Sequence, residues 1–75
     1  MRCYLADSRS HSKKVLVLVH EGRYCPLRGR DKVKKSSVEA IRRGESFLYV
    51  TREEAREFYK NFRPISLKSC IVKES

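Results

Sequence analysis

Seventy-five residues make one small domain, and a chain of this size buries only about 60% of the surface that its unfolded form exposes. Eighteen Lys and Arg against nine Asp and Glu leave a net charge of +9, which points to a polyanionic partner. No run approaches the ~20 apolar residues of a membrane span and no apolar signal core follows Arg2, so the expectation is a cytoplasmic protein with no membrane partner.

In chain order, Arg2 to Ala6 has modest strand character and is expected at a sheet edge. Asp7 to Lys14 is a polar, Ser-rich loop, either a solvated connection, the more common case, or a flexible basic arm in which Arg9, Lys13 and Lys14 with His11 form a second basic patch. Val15-Leu16-Val17-Leu18-Val19 is continuously apolar and rich in β-branched residues. Such a run suits a central strand buried on both faces. Gly22 supplies a turn, and Arg23 to Leu27 reads as the return strand. Arg28 to Lys35 is the densest charge in the chain, a basic loop interrupted only by Gly29, Asp31 and Val33.

Ser36-Ser37-Val38-Glu39 matches a capping box, so a short helix is expected from there to Arg43, with Gly44 as a left-handed cap and Val38 and Ile41 facing the core. Ser46 to Val50 reads as a strand. Thr51-Arg52-Glu53-Glu54 is a second capping box and opens the most strongly periodic helix. Its stripe is Ala55, Phe58, Tyr59 and Phe62, at i, i+3, i+4 and i+7. Pro64 ends that helix by Arg63, and Ile65 to Val72 alternates as a half-exposed strand. The expected order is β-β-β-α-β-α-β, an α+β domain over residues 1–75 with a largely antiparallel sheet packed against one long and one short helix.

The charge is uneven. Residues 1–43 carry twelve basic and four acidic groups, and residues 44–75 carry six and five. That asymmetry gives one sticky basic half, and nucleic acid is the polyanion it favours. The candidate contact residues are Arg23, Arg28, Gly29, Arg30, Lys32, Lys34 and Lys35, with Arg42 and Arg43 on the flank. Gly29 lets backbone approach a phosphate, the arginines offer forked donors, and the Ser36 and Ser37 amides add oriented N–H groups. Tyr24, beside Arg23, is the preferred stacking residue, ahead of Tyr4 and Tyr49. Phosphate contacts of this kind do not distinguish DNA from RNA.

Two other readings compete. Strand edges left open in so short a chain allow a homodimer, or docking on an acidic protein surface as a regulatory module or a viral or mobile-element accessory factor. His20 beside Glu21 allows a small ribonuclease, but no second acid or base lies at a persuasive spacing, so no enzyme is expected. Cys3, Cys25 and Cys70 lack CxxC spacing, so neither metal nor other cofactor is expected and buried thiols are the default. Cys3 and Cys70 are the pair expected to lie adjacent. The absence of Gln and the single Asn61 fit a thermophile, where a disulfide between such neighbours is an option.

Overall fold

The computed structural model describes residues 1–27, 32–45 and 48–72. Its elements are β1 (Arg2–Ser8), β2 (Lys14–His20), β3 (Arg23–Leu27), α1 (Lys35–Arg42), α2 (Arg52–Phe58), β4 (Tyr59–Ile65) and α3 (Leu67–Cys70). The strands form one antiparallel sheet in the order β3-β2-β1-β4, so the molecule is an α+β domain as its sequence implies. β2 lies inside the sheet and the five-residue apolar run is used on both sides. Leu16 and Leu18 join Cys3, Cys25, Val33, Val38, Ile41 and Cys70 in one core cluster. Val15 and Val17 join Ala6 and Tyr59 in another, on the opposite face. α1 and α3 therefore cover the first face. Between β2 and β3 the paired residues His20 and Arg23 flank Glu21 and Gly22, whose φ values of 50° and 77° give the two-residue turn that suits a right-twisted hairpin.

The long helix expected from Thr51 is cut short. It stops at Phe58, and Tyr59 to Ile65 becomes β4, paired antiparallel with β1. The register explains how a helical spacing can serve a strand. Leu5 pairs with Arg63 and Asp7 with Lys60, so Asn61 and Phe62 together oppose Ala6. This is a bulge, and its first residue, Asn61, has φ of 54°, a left-handed conformation that Asn tolerates better than most residues. The extra residue turns an odd separation into a same-face one, so Tyr59 and Phe62 both pack with the second cluster. Phe58, expected in the core, is instead exposed. Asn61 and Arg63 also hold the Asp7 carboxylate, at 3.0 and 2.9 Å. The amide hydrogen bond first, then the Arg63 and Lys14 charges, keep that carboxyl below its ordinary value.

Because β4 pairs with its outer side, β1 is an interior strand and not the edge expected of it. Strand reaches into the polar segment 7–14 from both ends: β1 runs to Ser8, β2 starts at Lys14, and Ser8 N–H donates to Lys13 O at 3.1 Å, which leaves residues 9–13 as the connecting loop. Of the expected strand over 46–50, residues 46 and 47 lie outside the described residues. Leu48 is 96% exposed, and Val50 alone bridges Tyr24 through two backbone hydrogen bonds. The expected final strand is also corrected. Leu67 to Cys70 is a helical turn that points Cys70 inward, and Ile71 makes a parallel bridge to Val33.

The three expected caps fare differently. Ser36 and Ser37 cap nothing: α1 starts earlier, after Lys34, with no side-chain cap. Val33, tied to Cys70 and Val72 by backbone hydrogen bonds, sets the chain's entry into that helix. At the other end Gly44 has φ of 72°, its N–H donates to Ile41 O, and Glu45 N–H donates to Ala40 O, which closes α1 as expected. Thr51 and Glu54 form the full capping box, with Glu54 N–H donating to Thr51 Oγ1 at 3.2 Å and Thr51 N–H donating to Glu54 Oε1 at 3.3 Å. Replacing Thr51 by Ala removes the accepting oxygen, and a loss of about 1 kcal/mol in the urea-unfolding free energy is expected. A variant as stable as the parent would mean that the cap is idle.

Candidate functional site

Strand alternation and helix ends scatter the residues that the sequence groups into one basic site. Arg23 and Tyr24 are neighbours on β3 and therefore face opposite sides of the sheet. The Arg23 guanidinium lies 5.0 Å from the Tyr49 ring centroid, a cation–π contact. Lys32 Nζ donates to Ser69 O at 2.6 Å. Lys34 and Lys35 stand exposed at the start of α1, while Arg42 and Arg43 sit at its other end, about 12 Å away by the rise of an eight-residue helix. Arg42 pairs with Glu39 at 3.7 Å and Arg43 with Glu45 at 3.1 Å. Arg28, Gly29 and Arg30 lie outside the described residues. The Ser37 amide, expected to be offered to an anion, is already bonded to Lys34 O.

His20 is half-buried, with Nε2 3.8 Å from Glu21 Oε1, and it shares a shallow recess with Arg23, Cys25 and Tyr49. Among the described residues no helix is long and apolar enough to cross a membrane.

A different cluster forms on the opposite face, where α2 crosses from the β3 side to β4. Tyr4 of β1, Tyr24 of β3 and Phe62 of β4 are half-buried there, and with Arg52 and Arg56 of α2 they line a groove of about 180 Å³. The Tyr4 and Phe62 ring centroids are 6.2 Å apart at 79°, and those of Tyr24 and Phe62 are 6.3 Å apart at 86°. Both tyrosines thus meet the same phenyl ring edge to face, and none of the three rings is stacked on another. Arg52 and Arg56 are four residues apart, on one face of α2. Neither guanidinium has a partner among the described residues, and both side chains are exposed. Arg9 adds a third cation, docked where its Nε donates to Arg56 O at 2.9 Å and its N–H to Phe58 O.

Of the sequence-derived candidates, the preferred stacking residue Tyr24 and its alternative Tyr4 belong to this groove, and Tyr49 does not. Phe62 reads as helix core in the sequence, Arg56 as the polar side of the same helix and Arg52 as part of its capping box, because nothing local marks residue 62 as a strand position opposite Ala6. The usable signal is weaker: two arginines four apart beside a buried Ala55, with tyrosines at positions 4 and 24 on the strands.

The three cysteines are free thiols, all buried. Cys3 and Cys70 are neighbours as expected, although Cys70 comes from α3 and not from a strand. Cys70 Sγ donates to Leu67 O at 3.1 Å. Burial first, then the hydrogen bond and charge of Cys70, push the Cys3 thiol up to about 12. Burial also raises Cys25, against a smaller opposing effect of Arg23.

In comparisons with known proteins, no family model, no curated protein and no solved structure matches the chain.

Proposed function

We propose that this is a nucleic-acid-binding protein of the cytoplasm, not an enzyme, and that it holds its ligand by backbone phosphates. What supports the reading is positive charge left without a carboxylate. Among the described residues only Arg42, Arg43 and Arg63 form arginine–carboxylate ion pairs. Arg52 and Arg56 have no carboxylate partner among the described residues and stand side by side at the rim of the groove lined by Tyr4, Tyr24 and Phe62. A guanidinium fork matches phosphate oxygens, and each phosphate neutralised releases condensed counterion. Lys34 and Lys35, which the sequence favours, are exposed at the start of α1, over the other face of the sheet, and add to the positive charge there.

Fluorescence anisotropy of labelled oligonucleotides at several salt concentrations tests the reading. The expected result is binding whose log affinity falls linearly with log salt. Changing Arg52 and Arg56 together to Ala should flatten that slope by about 1.4–1.8 units, the share of two phosphates. An unchanged slope removes both arginines from the interface. Absence of binding at low salt for the parent protein would overturn the function itself.

A further inference from the structure

We infer that the ligand is single-stranded nucleic acid, and that one of its bases enters the groove between Tyr4, Tyr24 and Phe62 while Arg52 and Arg56 hold the adjoining phosphates. The inference rests on the nucleic-acid reading above and narrows it. Three features of the groove carry it. First, its volume of about 180 Å³ is close to the ~150 Å³ cavity that takes up a single benzene, and below the ~300 Å³ at which sites for larger ligands begin. One planar ring fits. Second, the edge-to-face arrangement leaves the aromatic faces unstacked on one another, so a base can supply the stack that the protein does not make for itself. Third, the two arginines without carboxylate partners stand directly on the groove wall, so the anionic part of the ligand must follow its aromatic part closely.

A nucleotide in a single strand has that composition, a π-face next to a phosphate. A base inside a duplex does not offer it, since both its faces are already stacked on neighbours. Carboxylates do border the site. Glu53 and Glu57 lie on the next stripe of α2, at 100° per residue, and orient the strand by repelling phosphate from that flank. Stacking of this kind reads no base in particular, because every base has a π-face.

The test uses four labelled probes of equal length with the intact protein at one salt concentration. They are single-stranded DNA, single-stranded RNA, duplex DNA, and an abasic deoxyribose-phosphate strand that keeps the phosphates without bases. The expected order places one or both single strands above the duplex and the abasic strand. Tyr24→Ala should weaken single-strand binding by roughly 5- to 150-fold and leave the abasic strand unaffected, whereas Tyr24→Phe should keep the affinity. Phe62→Leu, which retains apolar volume and loses the ring, guards against a folding defect at Tyr24 and should behave like Tyr24→Ala. Equal binding of abasic and base-carrying strands would overturn base insertion and leave the phosphate-binding function standing. Binding of no probe at all would remove both.

Discussion

Leu18→Ala is expected to cost about 2–5 kcal/mol of unfolding free energy, measured by urea denaturation. Leu18 is 0% exposed and sits on the interior strand β2, opposite Cys3 on one side and Cys25 on the other. It shares a cluster with Val38 and Ile41 of α1 and with Cys70 of α3, so truncation opens a cavity where sheet and helices meet. The surrounding atoms are held by strand pairing on both sides and cannot collapse into the space. A domain of this length has a total stability of roughly 4–11 kcal/mol at the usual figure per residue, so the variant is expected to be largely unfolded at mild urea concentration. Leu18→Met conserves volume and should cost less than about 1.5 kcal/mol. A loss under 1 kcal/mol for Leu18→Ala would mean that the first cluster is not the core.

The second large effect concerns the thiols. At pH 8 a thiol of pKa 9.0 is about one-tenth thiolate, whereas Cys3, pushed up to about 12, is thiolate in about one molecule in 10⁴. Only the thiolate alkylates. The native protein should therefore react with iodoacetamide at Cys3 roughly 10³-fold more slowly than the urea-unfolded chain, and burial of the sulfur slows it further. Comparable rates in the two states would mean that the sheet opens freely at Cys3.

The same shift predicts a pH dependence. A thiol whose value is raised on folding stabilises the fold below its unfolded value of 9.0, and that stability is lost as the pH climbs toward about 12. The urea midpoint should fall between pH 8 and pH 10.5. The fall should be smaller in Cys3→Ala, which lacks the titrating group, and this comparison separates the thiol from lysines and tyrosines that titrate in the same range.

The functional reading and the fold depend on each other through the short stretch after α2. Had residues 59–62 continued the helix, Phe62 would lie beneath it and no groove would exist. Because they form β4, Phe62 meets Tyr4 and Tyr24 while Arg52 and Arg56 remain on the helix above them. The bulge at Asn61 is thus a determinant of the candidate site as well as of the sheet.

Much of the architecture was legible from local chemistry. The apolar run Val15 to Val19 demands burial on two faces, and only an interior strand provides it. Thr51 with Glu54 starts a helix, Gly44 ends one, and Glu21-Gly22 turns a hairpin, each by satisfying its own backbone groups within a few residues. Other features were settled by partners distant in the chain. Tyr59 to Ile65 has a helical apolar spacing, but backbone pairing with β1, 54 residues away where Asn61 meets Asp7, outweighed it. Leu67 to Cys70 alternates like a strand yet closes into a turn over Cys3. Tyr24, Phe62, Arg52 and Arg56 converge only because strand pleat, bulge and helix crossing bring them to one face. Turn and cap energies act between near neighbours, so they can be read along the chain. Which face a side chain shares, and with whom, is a property of long-range pairing, and only the folded sheet decides it.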